Sequence, residues 1–433
     1  MMKKLIKILL SSVLLTTSSF AYADLNVLNL SYRTGPFATT GIPLMDGMLD
    51  YANMLNERDG GIGGQKYNMI ECETGYSTDK GVECYSKLKG DNILTVHPWS
   101  TGITLQVIPK AGVDRIPVLS TAYGLSAAAD GNTFPWVFNF PATYWDGASI
   151  ILKYIGGYDM RGLKGKKLVL LHLDHPYGKE PIPLFKDLSK VYGYEFIPIP
   201  VGLKEMQNQS AQWLQIRREK PDYVMMWGWG AMNPGAINEA VKTRFDMNRF
   251  IGIWWSGHDD DLMVAGQKAK GYKALSWNIP GKYPVIDDIK KYVIDKGLSK
   301  IKNADTIYRN FYTRGIIISM MQAEAIRTAQ KHFNTSKVNA EQVRWGLENL
   351  NITEARLEEL GMKGMGYPIK TSCEDHSGHH PAWVLEWNGK EFEPITNLIA
   401  PMNDVVRPML EEAANKYAES NSPWPGRNNI PCN

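Results

Sequence analysis

Short apolar runs alternate with helical patterns along most of this 433-residue chain, and this alternation limits the possible folds more than any other feature. The clearest instance is residues 93–124, where apolar Ile93–Val96 leads through a polar loop and a helical stretch to apolar Ile116–Leu119. Such runs are typical of buried parallel strands. The alternation fills residues 25 to about 141 and again about 142 to 275. The sequence therefore predicts an α/β fold with two similar lobes, each built on a parallel sheet.

Small hydroxyl residues follow both strands of the stretch 93–124. Ser100 and Thr101 come after the first strand, and Ser120 and Thr121 after the second. Ligands of open α/β sheets bind beyond the carboxyl ends of strands, where helix N-termini present free N–H groups. Ser and Thr are also common helix N-caps, so capping alone is the alternative. The pattern indicates a site for a carboxylate-sized group.

Residues 1–23 have the pattern of a signal peptide. Lys3, Lys4 and Lys7 precede the apolar run Ile8–Leu15, and an Ala-Tyr-Ala cleavage pattern ends at Ala23. The run is too short to span a bilayer as a helix. No cysteine follows the cleavage pattern, so we expect no lipid anchor there. The sequence predicts an exported, soluble protein.

The charge balance of the chain is even. Without the three leader lysines, the 48 Lys and Arg residues fall to 45, which equals the 45 Asp and Glu residues. This balance favours neither nucleic acid nor an anionic membrane as a partner. No later stretch resembles a membrane span, and the length is that of two domains.

Four cysteines in an exported chain predict two disulfides, with three connectivities available. Cys72 and Cys84 are close in sequence, so we pair them, which leaves Cys373 with Cys432. Loop-closure entropy suggests roughly 3 and 4 kcal/mol of stabilisation for the two bridges. A zinc site using Cys373 and nearby histidines is a weaker alternative.

Aromatic residues are frequent at or near the predicted strand ends, where they would stack on a planar or apolar ligand. They are Trp99, Tyr123, Tyr177, Trp227, Trp229, Trp254 and Trp255. Neighbouring residues of a strand point to opposite faces, so we expect only one of Trp254 and Trp255 at the cleft.

Several marks occur together in order. They are SYRTGPFATTG at 31–41, the Cys72/Cys84 pair, STAYG at 120–124, HPYGK at 175–179, and DHSG before the run Ala-Trp-Val-Leu-Glu-Trp. On the basis of these marks the chain resembles the periplasmic solute-binding proteins of ABC transporters, of the branched-chain amino acid (leucine/isoleucine/valine-binding) type. The resemblance includes the branch of this family that binds aromatic acids. The resemblance covers nearly the whole mature chain.

The resemblance implies a type I periplasmic binding protein: two Rossmann-like lobes, three hinge crossings near 141, 275 and 372, and a cleft that closes on a ligand. The expected N-terminal lobe is 24–141 plus 276–371, and the expected C-terminal lobe is 142–275 plus 372–400. Residues 401–433 are expected to form a surface tail tied back by a disulfide.

Site residues follow from the resemblance residue by residue. Ser100 and Thr101, together with Ala122 and Tyr123 of the loop that starts at Thr121, match positions that hold a ligand carboxylate by hydroxyl and backbone N–H. Other matches on the second lobe are the aromatic Tyr177 and the strand-end loop Trp227, Gly228 and Trp229. The strand-end aromatics Trp99 and Trp255 and the positive charge of Arg33 in the opening loop complete the expected site.

One departure concerns the ligand's ammonium group. Amino-acid binders of this type hold it with a carboxylate after the strand that here ends in Trp255. This chain has Ser256-Gly257-His258-Asp259 there, which displaces the acid. The expected ligand is therefore a small carboxylated aromatic or apolar compound, with an amino acid or short amide as the alternative and Asp259 as its ammonium partner.

Other function classes are less consistent with the sequence. Gly60–Gly64 follows a helix and precedes a strand, so it is a helix C-cap rather than a dinucleotide loop. Asp375, His376 and His380 suggest a metal, but no H-E-x-x-H pattern exists, and no G-x-S-x-G or catalytic triad is present. We expect no enzyme, metal or cofactor, but a monomer that delivers its small-molecule ligand to an inner-membrane ABC permease. A ligand-sensing partner of a membrane receptor is the alternative from another class.

Overall fold

The computed structural model describes residues 24–90, 92–428 and 430–432. The predicted signal peptide, residues 1–23, lies outside them. Among the described residues, no helix has both the length and the apolar character needed to cross a bilayer.

Strands and helices alternate through three runs of the chain. The first run contains β1 Leu25–Asn29, α1 Ala38–Asp59, β2 Tyr67–Glu71, α2 Thr78–Leu88, β3 Ile93–His97, α3 Thr101–Asp114, β4 Val118–Leu119 and β5 Val137–Phe138. The second contains α4 Tyr144–Gly156, β6 Lys167–Leu173, α5 Pro176–Lys179, α6 Ile182–Tyr192, β7 Glu195–Val201, α7 Ser210–Glu219, β8 Tyr223–Trp227, α8 Met232–Lys242, β9 Phe250–Gly252, α9 Asp259–Met263 and β10 Lys273–Ser276. The third contains α10 Pro284–Ile289, α11 Asn310–His332, α12 Ala340–Glu348, β11 Asn351–Ile352, α13 Glu354–Glu359, β12 Ile369–Lys370, β13 Trp383–Trp387, β14 Phe392–Pro394 and α14 Asn403–Ser420.

Two separate sheets form the centres of the two predicted lobes. The first has five parallel strands in the order β2-β1-β3-β4-β5. The second has seven strands in the order β14-β13-β10-β9-β8-β6-β7, in which β13 runs antiparallel to both of its neighbours, β10 and β14. All five residues of β1 are buried, as expected for a strand covered on both faces. The α/β class and the two parallel-sheet lobes are confirmed.

Two glycines place α11 against the first lobe. A Cβ atom added at Gly47 of α1 would lie 2.1 Å from the carbonyl oxygen of Tyr312, and one added at Gly315 of α11 would lie 2.1 Å from that of Leu44. The two helix backbones can approach this closely only because both positions lack a side chain. The chain thus returns from the second sheet to the first before it crosses again to β13.

Several predicted elements differ from the observed ones. The predicted strand Phe250–Trp255 ends at Gly252, and Trp254–Ser256 forms a 3₁₀ turn instead. The argument from strand alternation therefore does not apply to the two tryptophans, and both are buried. The predicted surface tail contains the 18-residue helix α14. Its buried Val406, Leu410 and Ala414 have the four-residue spacing of a helix, a signal that the polar composition concealed.

Both cysteine pairs are bonded in the structure. Cys72 is joined to Cys84, and Cys373 to Cys432. The second bridge ties the end of the chain to the third crossing between the sheets.

A buried histidine joins two crossings between the lobes. The Nδ1 atom of His379 lies 2.7 Å from Oδ1 of Asp146, and its Nε2 atom lies 3.7 Å from Oδ1 of Asp375. Burial alone would lower the pKa of His379, but the two carboxylates outweigh it and raise the pKa. His379 therefore favours its charged form in the folded protein.

We predict a pH-dependent stability from this cluster. Because the folded pKa of His379 is raised, its contribution is complete below the unfolded pKa and is lost as pH rises through the folded pKa. The stability advantage of the wild type over His379→Gln should therefore shrink as pH rises from about 6.5, the ordinary pKa of histidine, through the raised pKa of the folded state. Urea unfolding across that range measures it, and Asp146→Asn should remove the same dependence. A difference that is constant with pH would contradict the prediction.

Candidate ligand-binding cleft

The carboxyl ends of strands from both sheets meet at one cleft, as the strand-end rule predicts. Loops after β1, β2, β3 and β4 form one side, and loops after β6, β8 and β9 form the other. About 280 Å³ of the cleft and its solvent-open mouth is not filled by protein atoms. Its lining residues, all buried, are Tyr32, Leu44, Tyr76, Trp99, Ser100, Thr101, Tyr123, Tyr144, Tyr177, Trp229 and Trp255.

Ser100 and Thr101 present polar groups to the cleft at the start of α3. Ser100 is the N-cap residue, yet its hydroxyl makes no capping hydrogen bond, and among the described residues it has no partner although it is buried. The Thr101 hydroxyl accepts a hydrogen bond from the N–H of Gly124 at 3.3 Å. A helix N-terminus with an unpaired hydroxyl is suited to a carboxylate, since the helix dipole favours negative charge there.

Aromatic rings supply most of the remaining surface. Trp99 stacks on Tyr123 with ring centroids 5.8 Å apart, and Tyr123 meets Trp255 edge-on at 6.2 Å. Trp229 meets Trp255 at 5.5 Å and Tyr32 at 6.3 Å, both edge-on. The rings therefore connect the two lobes around the cleft.

The lining tyrosines are neutral. Burial raises the pKa of Tyr32, Tyr123, Tyr144 and Tyr177 well above the ordinary value, and it raises that of Tyr76 as well. The Tyr177 hydroxyl donates to the carbonyl of Gly228 at 3.0 Å. The cleft thus has apolar faces and uncharged polar edges.

Hydrogen bonds across the cleft hold the two lobes together. The carbonyl oxygen of Ala122 accepts from the indole N–H groups of Trp254 and Trp255, at 2.8 and 3.0 Å. The N–H of Ala231 donates to the carbonyl of Pro36 at 3.0 Å. These contacts describe a closed arrangement of the lobes.

A partly buried carboxylate adds a further contact between the lobes. Glu180 Oε1 accepts from the N–H of Ser126 at 2.9 Å, and burial raises the pKa of Glu180 to about 7. Its second oxygen is buried and, among the described residues, has no hydrogen-bond partner.

Arg33 was predicted to add charge to the cleft, and the structure corrects this. Its guanidinium donates to Asp46 at 2.7 Å and to Glu71 at 2.8 Å, away from the lining residues. Two carboxylates on the same lobe already neutralise it, so it is not available to a ligand there.

Four further predicted residues do not line the cleft. Thr121 and Ala122 lie behind it, and the N–H of Ala122 is directed at the carbonyls of Asn139 and Phe140 rather than at a ligand. Trp227 is fully buried against Tyr144 and Phe185. Asp259 accepts from the N–H of Asn310 at 2.8 Å and faces α11 instead of the cleft.

The remaining predicted residues do come together, namely Trp99, Ser100, Thr101, Tyr123, Tyr177, Trp229 and Trp255. The sequence reasoning missed Tyr32, Leu44, Tyr76 and Tyr144. Tyr32 and Tyr76 follow the ends of β1 and β2, so the rule that identified Ser100 would have found them too. Leu44 and Tyr144 lie in helices, and no strand-end signal marks them.

The histidines near residue 376 have protein partners. His376 Nδ1 lies 2.7 Å from the carbonyl oxygen of Val137, and His380 Nε2 accepts from the N–H of Lys370 at 2.9 Å. Asp375 Oδ1 accepts from the N–H of Gly378 at 2.8 Å. These atoms serve the crossing between the lobes, and within the described ranges no group of three or more metal-ligating side chains is found.

Comparison with known proteins gives several matches. The sequence model of the periplasmic binding protein family matches residues 25–391. A Leu/Ile/Val-binding protein of Rhizobium johnstonii is 24% identical over 50% of this chain and 57% of its own length, and a homologue from Brucella melitensis is 27% identical over 41% and 48%. The chain thus spans about half the length of the curated relatives it matches.

Solved structures match over most of the chain. One described as an ABC transporter permease from the Pseudomonas fluorescens group is 36% identical, with a TM-score of 0.83 over 92% of this chain and 97% of that one. A branched-chain amino acid ABC transporter protein from Thermus thermophilus with bound valine has 21% identity and a TM-score of 0.75 over 90% and 99%. A solute-binding protein from R. palustris in complex with benzoate has 16% identity and a TM-score of 0.64 over 87% and 97%.

The last two similarities concern the fold, whereas the family match covers both sheets and the cleft between them. The chain belongs to the periplasmic binding protein family, with the two-lobed fold of its type I members.

Proposed function

We propose that the protein is the solute-binding component of an ABC importer and that it binds a small carboxylated aromatic or apolar compound. One observation carries the ligand class: eight of the eleven lining residues are aromatic, and the unpaired Ser100 hydroxyl lies at a helix N-terminus beside them. Apolar faces bury the body of a ligand, while a few polar groups fix its orientation.

The cleft suits a carboxylate better than an ammonium group. None of its lining residues is an acid, and Asp259, the expected ammonium partner, faces α11. A buried ammonium without a carboxylate partner is costly. A similar solved structure contains bound valine, so an amino acid is the second candidate for the ligand.

Family membership supports a binding protein rather than an enzyme and an extracytoplasmic location. We propose a periplasmic protein that delivers its ligand to an inner-membrane permease. The monomeric state remains a prediction.

Calorimetry tests the ligand class. We expect benzoate to bind more tightly than valine, because its ring is planar and its only charge matches the α3 N-terminus. At a ligand concentration of a hundred times the dissociation constant, the protein should gain about 2.7 kcal/mol of stability. Tight binding of valine without binding of benzoate would instead support the amino acid candidate.

Ser100→Ala tests the carboxylate end of the cleft. Loss of a hydrogen bond to a charged group should weaken benzoate binding by about 1–3 kcal/mol. Ser120→Ala is the matched control, because Ser120 is also buried with an unpaired hydroxyl after a neighbouring strand but does not line the cleft. Equal affinities of both variants and the wild type would place the carboxylate elsewhere.

Gly230→Ala tests closure of the lobes. Gly230 has a φ of 57°, and a Cβ atom there would lie 2.6 Å from the carbonyl oxygen of Pro36 on the other lobe. The variant should remain open, with a larger radius of gyration in small-angle scattering and weaker ligand binding. Gly60→Ala is the control, since Gly60 has a φ of 70° and nothing within 4 Å of the added Cβ. Compaction of Gly230→Ala equal to that of the control would contradict the closed contact.

A further inference from the structure

A fully buried arginine lies behind one wall of the cleft. Arg314 of α11 is 0% exposed. Its guanidinium carbon lies 5.3 Å from the ring centroid of Trp255, 4.9 Å from that of Trp277 and 5.0 Å from that of Phe311. Trp255 also lines the cleft, so the cation and the ligand space share this ring.

The hydrogen-bond partners of Arg314 are all uncharged. It donates to Asn278 Oδ1 at 2.8 Å, to Ser276 Oγ at 2.9 Å, to Asn310 Oδ1 at 3.3 Å and to the carbonyl oxygen of Trp254. These acceptors satisfy the N–H groups without neutralising the charge.

Asp259 is the carboxylate that acts on Arg314, and it does so through space. Asn310 separates the two residues, since its N–H donates to Asp259 and its side-chain oxygen accepts from Arg314. A buried charge without a directly paired counter-ion is costly. A ligand anion in the adjacent cleft would offset that cost.

We propose that Arg314 determines the charge selectivity of the cleft, so that an anionic ligand binds in preference to a neutral ligand of the same shape. This inference rests on the proposed function as a solute-binding protein, but not on the aromatic nature of the ligand. It also excludes a ligand class that the rings alone would allow. Cages of Trp and Tyr bind quaternary ammonium groups, but a fixed cation behind Trp255 repels them.

The size of the effect follows from distance. A unit charge roughly 10 Å from an anion at an effective dielectric constant of about 20 changes the affinity roughly five- to tenfold, once the partial compensation by Asp259 is allowed for. The lining residues carry no formal charge of their own that would mask this contribution.

Two acid–amide pairs test the proposal by calorimetry at pH 6: benzoate against benzamide, and valine against valinamide. The measured quantity is the ratio of the amide dissociation constant to the acid dissociation constant. Arg314→Gln and Arg314→Met should lower this ratio roughly five- to tenfold. Arg314→Lys keeps the charge and should retain the ratio.

The preference of Arg314→Lys for benzoate over benzamide, measured over a pH series, would not change with pH if residue 314 had a purely structural role. A buried lysine titrates below its ordinary pKa, so the benzoate preference of this variant should decline as pH rises from 6 to about 8. Burial lowers the pKa of Arg314 only to about 9, so the preference of the wild type should stay level over that range. This series decides the question even if both neutral variants fail to fold.

The outcomes separate this inference from the proposed ligand class. Equal weakening of acid and amide in the neutral variants, or a Lys variant without pH dependence, would overturn the role of Arg314 and leave the aromatic-acid proposal intact. If neither benzoate nor benzamide binds the wild type but valine does, the aromatic-acid proposal fails, and the valine pair still tests Arg314.

Discussion

Two indole N–H groups of the second lobe donate to one carbonyl oxygen of the first, and the closed structure depends on this contact. The carbonyl of Ala122 has two lone pairs, and Trp254 and Trp255 use both. Ala122 has a φ of 55°, within the same loop that provides Tyr123 to the cleft. The contact therefore fixes two tryptophans of one lobe against the ligand-facing loop of the other.

Trp255 connects this contact with the ligand space and with the buried charge. Its indole nitrogen is bonded to Ala122, its ring lines the cleft, and Arg314 lies against the ring. Arg314 also donates to the backbone carbonyl of Trp254. Gly47 and Gly315 allow α11 to lie close to α1. The placement of α11 therefore affects the cleft through Arg314 and the two indoles that it contacts.

The sequence predicted the fold well because strand periodicity and strand-end chemistry are local signals. The rule that ligands bind beyond parallel strands correctly brought Trp99, Ser100 and Tyr177 to one place. It failed for Arg33 because Asp46 and Glu71, which are distant in sequence, neutralise that side chain. The importance of Arg314 could not be predicted either, because nothing in a 23-residue helix indicates which polar residue will lie among three aromatic rings.

The orientation of side chains at a strand end is the second limit. Trp227 is the last residue of β8 and Trp229 follows that strand, but only Trp229 reaches the cleft, because Trp227 packs inward against Phe185. Trp254 and Trp255 both donate to Ala122, because β9 ends at Gly252 and a 3₁₀ turn follows, so strand alternation does not determine their directions. Only Trp255 lines the cleft, which is the number that the sequence predicted for this pair. Where a strand ends depends on its neighbours in the sheet, and these are not visible in its own sequence.

The C-terminal segment adds a mechanical link to the three crossings. Lys153 of α4 donates to the carbonyl of Ala400, whereas Trp424 donates to the carbonyl of Thr133 beside the first sheet. Between these anchor points α14 passes Asp375 of the third crossing, which Arg407 contacts at 3.3 Å, and the Cys373–Cys432 bridge fixes the end. The segment is therefore a strap from one lobe to the other along the line of the crossings. Two lobes joined in this way can rotate apart about the crossings. Sliding or twisting of one lobe relative to the other would require the strap to detach. Such a tie would leave the lobes mainly one angle of opening, so less orientational entropy would be lost when a ligand closes the cleft.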